Sequence, residues 1–379
     1  MIKVAPGAGP VLLFAADELR RHAPWLAHAT VAIGPAAWAL DAAGLSPARA
    51  PGHPDGFLIT GDGAGYALAA GTEQGALYAV YALLEQMGAR WPHPGLAVPP
   101  ADGALPAVRA WVEPGYDVRG TWLTGPTTTD EVLALIVWSG RRGLNALHVA
   151  DPADLDTQAL QAAAERRGIA LTTGSRPAPV LTAGRCFRHS LGNPYGCAVN
   201  PPLFRQITGQ RVAAEPYADL LTLGRPANLA TVIRQDLEDY FRESHLSFYL
   251  IHNGPLSWWT CPLNFDVYAR TLWDLNTDPA EALVVYAAGD DDLERTLGRA
   301  EEAAAAALSA CDTPAHRAAA VTETTRLLPA GSLERAIHTG DWAAAVQALE
   351  AMPPAQRGRF GDEVFLPLIK RRLSERAAG

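Results

Sequence analysis

Short apolar runs alternate with amphipathic segments over the first third of the chain. The runs predict strands at residues 2–5, 30–33, 56–59 and 66–70, the last two flanking a hairpin turn, and a helix at 10–22. A second helix has Leu77, Tyr81 and Leu84 at helical spacing, and Gly88 is placed to end it in a left-handed conformation. A proline- and glycine-rich run at 92–106, typical of a linker, follows. The pattern predicts a small α/β sandwich domain.

From Tyr116 onward the chain repeats a strand followed by a helix. The sequence Arg-Arg-Gly occurs at 141–143 and 166–168, each time between a predicted helix and a predicted strand. The predicted strands are 118–123, 145–149, 169–173 and 247–252, and the predicted helices are 131–142, 157–167, 229–246 and 264–274. Such repeats predict a parallel sheet, most economically a (β/α) TIM-like barrel. A full barrel usually needs about 250 residues and about 160 are present, so a shortened or incomplete barrel is expected.

Alanine-rich helical segments dominate the chain from Pro279 onward. They cover 290–310 and 333–352 and predict a helical region that packs either on the barrel or on a second subunit, which leaves a homodimer open. The expected fold class is therefore α/β. The predicted domains are 1–113 (the N-terminal α/β domain), 114–278 (the shortened barrel) and 279–379 (the helical region).

Composition and charge exclude several classes of partner. The 379 residues are 49% hydrophobic and 19% charged, which suits a globular protein. The net charge of −9, without a basic stripe, argues against nucleic acid or an anionic membrane as partner. No apolar run approaches the roughly 20 residues that span a bilayer, and no signal-peptide profile is visible, so a cytoplasmic location is expected. The four cysteines lack metal-finger spacing; free thiols are expected, although an oxidising compartment would allow a Cys186–Cys197 disulfide.

Polar and aromatic residues gather where the predicted barrel strands end, the place where α/β barrels hold their reactive groups. These residues are Arg119, Trp122, His148, Asp151, His252 and Asn253, with Trp258 and Trp259 close behind. Aromatic faces pack well against pyranose rings, so the tryptophans suit a sugar-binding surface. Equally, they could close the mouth of the barrel or lie in an interface. The histidines and Asp151 would suit zinc, but no pair has i,i+4 ligand spacing, so neither a metal nor another cofactor is predicted.

A dense polar segment covers residues 185–200. It holds Arg188, His189 and Asn200 within a mostly apolar part of the chain. This density is typical of a ligand-lining loop. The alternative is that His189 and Asn200 satisfy backbone groups of their own loop.

Four motifs, taken in order, carry a family resemblance. Residues 71–95, from Gly-Thr-Glu-Gln-Gly to Arg-Trp-Pro-His-Pro-Gly, resemble the small domain that precedes the barrel in α-glucuronidases, in family-twenty hexosaminidases and in a large uncharacterised family of their relatives. Three further stretches are similar to that last family: the Cys-x-x-His and Cys-x-x-Asn pair at 186–200, Ala214-Glu-Pro-Tyr217, and the run 271–279. The resemblance implies a carbohydrate-active protein with a small saccharide or glycoside as ligand.

Glycoside cleavage usually needs two carboxyl groups, roughly 5–5.5 Å apart in retaining enzymes and roughly 6.5–9.5 Å apart in inverting enzymes. The candidates here are Glu215, after a predicted strand, and Asp151, with Asp266 in reserve. Burial of Glu215 against Tyr217 would raise its pKa and suit a general acid. The sequence therefore predicts a glycoside hydrolase in which Glu215 and Asp151 are catalytic.

The remaining candidates are predicted to bind the sugar. They are Arg119, Trp122, His148, Arg188, His189, Asn200, Tyr217, His252, Asn253, Trp258 and Trp259. The alternative is a non-catalytic sugar-binding or scaffold protein. Relatives have a longer connection where residues 176–184 stand here, and often a glutamate near His252, so both departures remove carboxylates. Binding of a glycan without turnover would identify this alternative.

Overall fold

The computed structural model shows a mixed α/β protein. The residues it describes are 1–46, 48–49, 51–62, 65–94, 96–100, 103, 107–123, 127–150, 152–174, 181–182, 212–214, 234, 237–238, 248–253, 262–280, 330–331, 335–336, 341–351, 366–367, 370 and 373–374. In these residues, thirteen strands and seven α-helices form. Within the same ranges, no helix combines the length and the apolar composition needed to cross a bilayer.

The N-terminal sheet has five strands. In spatial order they are β1 (Ile2–Val4), β2 (Thr30–Pro35), β4 (Gly65–Ala70), β3 (Phe57–Gly61) and β7 (Val108–Val112). Strands β1, β2 and β4 are parallel, whereas β3 pairs antiparallel with β4 and β7, which confirms the predicted hairpin. A separate hairpin joins β5 (Arg90–His93) to β6 (Leu96–Val98), and its second strand lies inside the run predicted as a linker.

Helices cover both faces of the N-terminal sheet. Helices α1 (Pro10–His22) and α3 (Glu73–Gln86) contact each other and cover one face, and α2 (Ala36–Ala42) covers the other. Strand alternation explains this arrangement: Ile33 and Leu68 belong to the main core, while Ala32 and Ala67 pack beneath α2. Helix α3 ends as predicted, because Gly88 adopts a φ of 94°.

The second sheet, called here the parallel sheet, has six strands. In spatial order they are β10 (Ala170–Thr173), β9 (Ala146–Val149), β8 (Val118–Leu123), β13 (Phe248–Asn253), β12 (Val212–Ala214) and β11 (Leu181–Thr182), and every neighbouring pair is parallel. The last strand along the chain, β13, therefore pairs with the first, β8. The associated helices are α4 (Thr129–Arg141), α5 (Thr157–Glu165) and α6 (Pro262–Trp273), and α7 (Trp342–Ala351) lies near the C-terminus.

The parallel sheet turns one face toward its helices. Leu123, Leu147 and Val149 join Val132 of α4 and Leu160 of α5 in the main core. Because side chains alternate along a strand, the neighbouring residues of β8 and β9 point to the opposite face. That opposite face carries the candidate site.

Two glycines and a capping box set where the helices of this region end and begin. Gly143 and Gly168 adopt φ values of 71° and 65°, which confirms them as stops after α4 and α5. The sequence predicts Asp130 as the cap of a helix at 131–142, and the observed cap differs. Thr128, rather than Asp130, accepts a hydrogen bond from the Glu131 amide, and the Glu131 side chain returns to the Thr128 amide. This reciprocal capping box satisfies two amides at once, so it places the helix start at Thr129.

Candidate functional site

A row of side chains crosses the C-terminal ends of the parallel strands, called here the C-terminal rim. The register pairs Trp122 of β8 with His148 of β9, and His148 with Thr172 of β10. On the other side of β8, His252 of β13 occupies the position paired with Trp122. Paired positions of parallel neighbours lie level with one another, so these four residues form one layer of the sheet. The layer is one residue short of the end of all four strands.

His148 is held by two hydrogen bonds within the protein. Its Nε2 lies 2.7 Å from the Gly174 carbonyl oxygen, and its Nδ1 lies 2.9 Å from the Thr172 hydroxyl. A carbonyl can only accept, so Nε2 carries the proton and donates to it, and in the neutral ring Nδ1 accepts from Thr172. Burial lowers the pKa of His148 below its ordinary value, although the Gly174 hydrogen bond opposes that shift. The imidazole is therefore neutral near pH 7.

Trp122 packs its ring against His148. The two ring centroids are 6.3 Å apart at 75°, an edge-to-face contact, and only 5% of Trp122 is exposed. Both nitrogens of His148 are already engaged. Its contribution at the rim is therefore to hold Trp122 and the Gly174 turn. The predicted binding of a sugar by His148 stays a prediction.

Arg119 requires a correction. It lies on β8, but at the opposite end from the C-terminal rim, and it is fully buried. Its Nη2 is 2.6 Å from Asp55 Oδ2, its Nε donates to the Gly143 carbonyl at 2.8 Å, and the guanidinium lies 4.6 Å from the centre of the Trp273 ring. These contacts fix the N-terminal sheet to the parallel sheet. A role for Arg119 in orienting a sugar at the C-terminal rim does not fit this position.

Asp266 also differs from its predicted reserve role. It is 4% exposed on α6, and its carboxylate forms ion pairs with Arg142 and, at 2.7 Å, with Arg270. Arg142 belongs to the turn that leads into β9, so the pair lies at the N-terminal ends of the parallel strands. Asp266 is therefore far along the strands from the C-terminal rim.

Most other predicted site residues lie outside the described residues. These are Asp151, Arg188, His189, Asn200, Glu215, Tyr217, Trp258 and Trp259. Their neighbours along the chain are described: Ala214 ends β12 and immediately precedes Glu215, and Val149 ends β9 two residues before Asp151. Asn253 ends β13, where it pairs with Leu123.

Sequence reasoning missed a polar network at the far ends of the strands. Asp55 accepts from Arg119 and, at 3.1 Å, from Asn145 Nδ2, while Asn145 Oδ1 accepts from the Arg119 amide at 2.8 Å. The three residues are widely separated in the sequence, and no local pattern joins Asp55 to the other two. In the described part of the chain, no three histidine, cysteine or acidic side chains gather closely enough to hold a metal ion.

Of the comparisons with known proteins, only the one with solved structures found matches. No family model matches the chain, and no curated protein matches its sequence. A GH138 enzyme targeting pectin rhamnogalacturonan II aligns with a TM-score of 0.56 and 9% identity, over 81% of this chain and 55% of that chain. A GH115 4-O-methyl-α-glucuronidase with specificity for decorated arabinogalactans has a TM-score of 0.49 and 10% identity, over 92% and 68%. A family 20 β-N-acetylglucosaminidase has a TM-score of 0.32 and 16% identity, over 45% and 37%.

All three neighbours are named as glycoside hydrolases. The GH138 enzyme, with a TM-score of 0.56, shares the fold of this chain, and the 9% identity shows no more than a shared fold. The chain spans about half the length of that enzyme, 55%.

Proposed function

We propose that this chain is a carbohydrate-active protein, specifically a glycoside hydrolase that works at the C-terminal rim of the parallel sheet. The observation that carries the proposal is the layer of Trp122 and His148 at that rim. A buried aromatic ring, held by a neutral histidine at the C-terminal ends of parallel strands, suits a floor for a pyranose ring. The fold shared with a GH138 enzyme supports the same class.

The parallel sheet is proposed to be a shortened barrel. Chain order and spatial order agree within β8–β9–β10 and within β11–β12–β13, and β13 then returns to pair with β8. A barrel produces this cyclic order, because every strand follows its chain neighbour and the last strand meets the first. Closure between β10 and β11 would complete a six-stranded ring, in line with the shortened barrel expected from the length.

The two catalytic carboxylates are proposed to be Glu215 and Asp151. Ala214 pairs with Ile251, so one further residue along β12 would be level with His252 and with the Trp122–His148 layer. Asp151 follows the end of β9 by two residues, on the same rim. Glu215 would serve as general acid and Asp151 as nucleophile or base. Their separation would then decide between retention, at about 5–5.5 Å, and inversion, at about 6.5–9.5 Å.

The other residues at the rim are proposed to bind the sugar. Trp258 and Trp259 would stack on it, and Arg188 and His189 would donate hydrogen bonds to its hydroxyls. A second candidate function, sugar binding without catalysis, is favoured by one observation. The position paired with Trp122 on β13 holds His252, whereas a hydrolase would gain from a carboxylate there.

Hydrolysis of a panel of p-nitrophenyl glycosides tests the proposal. The wild-type chain is expected to release p-nitrophenol from at least one of them, and Glu215→Gln and Asp151→Asn are each expected to lower kcat by roughly 10²–10⁴-fold. Asp154→Asn is the matched control, because Asp154 is an exposed carboxylate in the same loop as Asp151 and should leave kcat unchanged. Full turnover in Glu215→Gln would refute the catalytic assignment. Binding of a glycan without turnover by the wild type would favour the second candidate.

A further inference from the structure

A cavity of about 390 Å³ lies between the N-terminal sheet and the parallel sheet. Its walls come from α3, from Arg142 and Gly143 in the turn between α4 and β9, and from the end of α6 with the turn that follows. The turn between α4 and β9 lies at the N-terminal ends of the parallel strands. The cavity is therefore at the opposite end of the sheet from the C-terminal rim, and nothing in the proposed catalytic reaction uses it.

Aromatic side chains form the apolar part of the cavity. Phe57, Tyr78, Tyr81 and Trp273 all line it. Trp273 is held in place by ring contacts, with centroid separations of 5.8 Å to Phe57 and 5.2 Å to Tyr78. A rigid aromatic wall of this kind binds ligands that present an apolar face.

Arg141 and Arg142 line the cavity, and each has a buried donor atom without a partner in the described part of the chain. Arg142 is 7% exposed, and its Nη1 donates to Glu85 Oε1 at 2.7 Å. Its Nε, and the Nε of Arg141, are buried and have no hydrogen-bond partner among the described residues. Neither Nε atom has surface that a ligand could reach. Arg270, in contrast, lines the cavity with 26% of its side chain exposed, so its guanidinium offers N–H donors to a ligand oxygen.

The side chains that line the cavity carry equal numbers of positive and negative charges. Three arginines line it, Arg141, Arg142 and Arg270, and three carboxylates oppose them, Glu85, Asp274 and Asp278. A balanced wall gives no general preference for an anion or a cation. The two aspartates are exposed, so they place acceptors at the mouth of the cavity.

We infer that this cavity is a second binding site, and that its ligand is a neutral pyranose sugar. A pyranose offers an apolar C–H face to the aromatic wall and hydroxyl groups that both accept from arginine and donate to aspartate. The volume lies within the roughly 300–1,000 Å³ that ligand pockets occupy. The inference does not depend on the proposed catalysis, because the two sites share none of the residues named for them.

Ligand-observed NMR and calorimetry on the full chain test the inference, with D-glucose, D-galactose and L-rhamnose as probes. D-glucuronate and p-nitrophenol serve as an anionic and a purely aromatic comparison. At least one neutral pyranose is expected to bind with a Kd near 1 mM, which corresponds to about −4 kcal/mol. Ala82→Phe, which inserts a ring into the cavity from α3, is expected to weaken that binding at least tenfold.

The matched control is Gln86→Phe, one turn along α3 at an exposed position that does not line the cavity. It should leave Kd unchanged, as should Glu215→Gln, which separates this site from the proposed catalytic one. Asn276→Ala, an exposed position at the mouth, should weaken binding severalfold even if Ala82→Phe fails to fold. Absence of binding by all three neutral sugars, binding of D-glucuronate or p-nitrophenol alone, or binding that neither Ala82→Phe nor Asn276→Ala weakens would overturn the inference.

Discussion

The protonation state of the buried Glu18 carboxyl is set by a few individual contacts. Its side chain is fully buried on α1, 2.7 Å from Arg21 Nη1 and 3.0 Å from the Tyr81 hydroxyl, which donates to it. Burial alone would raise the pKa of this carboxyl. Hydrogen bonds from His22 and Tyr81 and the charge of Arg141 outweigh burial and lower the pKa from 4.5 to about 2. Glu18 is therefore ionised in the fold at neutral pH.

Replacement of Glu18 should remove a pH-dependent part of the stability. The folded-state pKa is lower than the unfolded one, so the carboxylate contributes stability above about pH 4.5 and loses it as the pH falls toward about 2. A shift of this size corresponds to about 3 kcal/mol. In urea unfolding, Glu18→Gln should cost roughly that amount at pH 7, and the difference from wild type should shrink on acidification.

Asp17→Asn provides the control for this experiment, because Asp17 is exposed and its ion pair is with the exposed Arg20. It should change the free energy of unfolding by less than about 1 kcal/mol at any pH. A difference between Glu18→Gln and wild type that stays constant from pH 7 to pH 3 would contradict the assignment of the ionised carboxylate.

The sequence allowed a residue's role to be predicted only where the side chain's chemistry and its place near a strand end both indicated that role. Trp122 and His148 were chosen as strand-end residues, and the structure brings them into contact. Arg119 was chosen on the same grounds, yet it lies near the start of β8, whereas Trp122 lies near its end. Its partner Asp55 lies 64 positions away, and nothing local to Arg119 signals that long-range ion pair.

At the scale of elements, the start of α4 is decided by one hydroxyl. Thr128 and Glu131 cap the helix reciprocally, whereas Asp130 lies within its first turn. Thr128→Ala should therefore lower the free energy of unfolding by about 1 kcal/mol, the usual cost of losing a cap. Asp130→Ala removes only a favourable charge near the helix N-terminus and should cost about 0.3 kcal/mol. Thermal or urea unfolding of the two variants compares them directly, and a larger loss for Asp130→Ala would restore the cap predicted from the sequence.

Element types were predictable where periodicity was strong and glycine marked the ends. Helix α1 has the predicted bounds, and Gly88, Gly143 and Gly168 end their helices as expected. Helix α2 was missed because its alanine-rich sequence offers little contrast between a buried and an exposed face. Strand β7 was missed because it follows the proline-rich run, although Val108, Ala110 and Val112 alternate with exposed residues.

At the scale of the whole molecule, two sheets share one core and are joined by polar contacts at the N-terminal ends of the parallel strands. Gln74 of α3 donates to the Arg167 carbonyl at 2.7 Å, and Asp55 pairs with Arg119. The sequence predicted an α/β fold with a parallel sheet and the repeated strand–helix units that build it. The pairing of β13 with β8 joins residues about 130 positions apart, so no local sequence pattern indicates it.

The Asp55–Arg119 ion pair should dominate the coupling between the two sheets. Arg119→Met leaves the Asp55 carboxylate without its buried partner and should lower the free energy of unfolding by about 3–5 kcal/mol. Arg109→Met, at an exposed position on β7, should change it by less than about 0.5 kcal/mol. In a double-mutant cycle, Asp55→Asn combined with Arg119→Met should cost less than the sum of the single changes, and strict additivity would exclude direct coupling.

The central claim, that the C-terminal rim is a hydrolytic site, requires two carboxylates that face one cleft. The most direct measurement is the distance between the carboxyl carbons of Glu215 and Asp151 in a crystal structure of the full chain. If the rim is a hydrolytic site, we expect a distance of about 5–10 Å across an open cleft that has Trp122 at its base. The value within that range would indicate retention or inversion. Carboxyl groups much farther apart, or pointing away from a common cleft, would contradict it and leave a sugar-binding protein without catalysis.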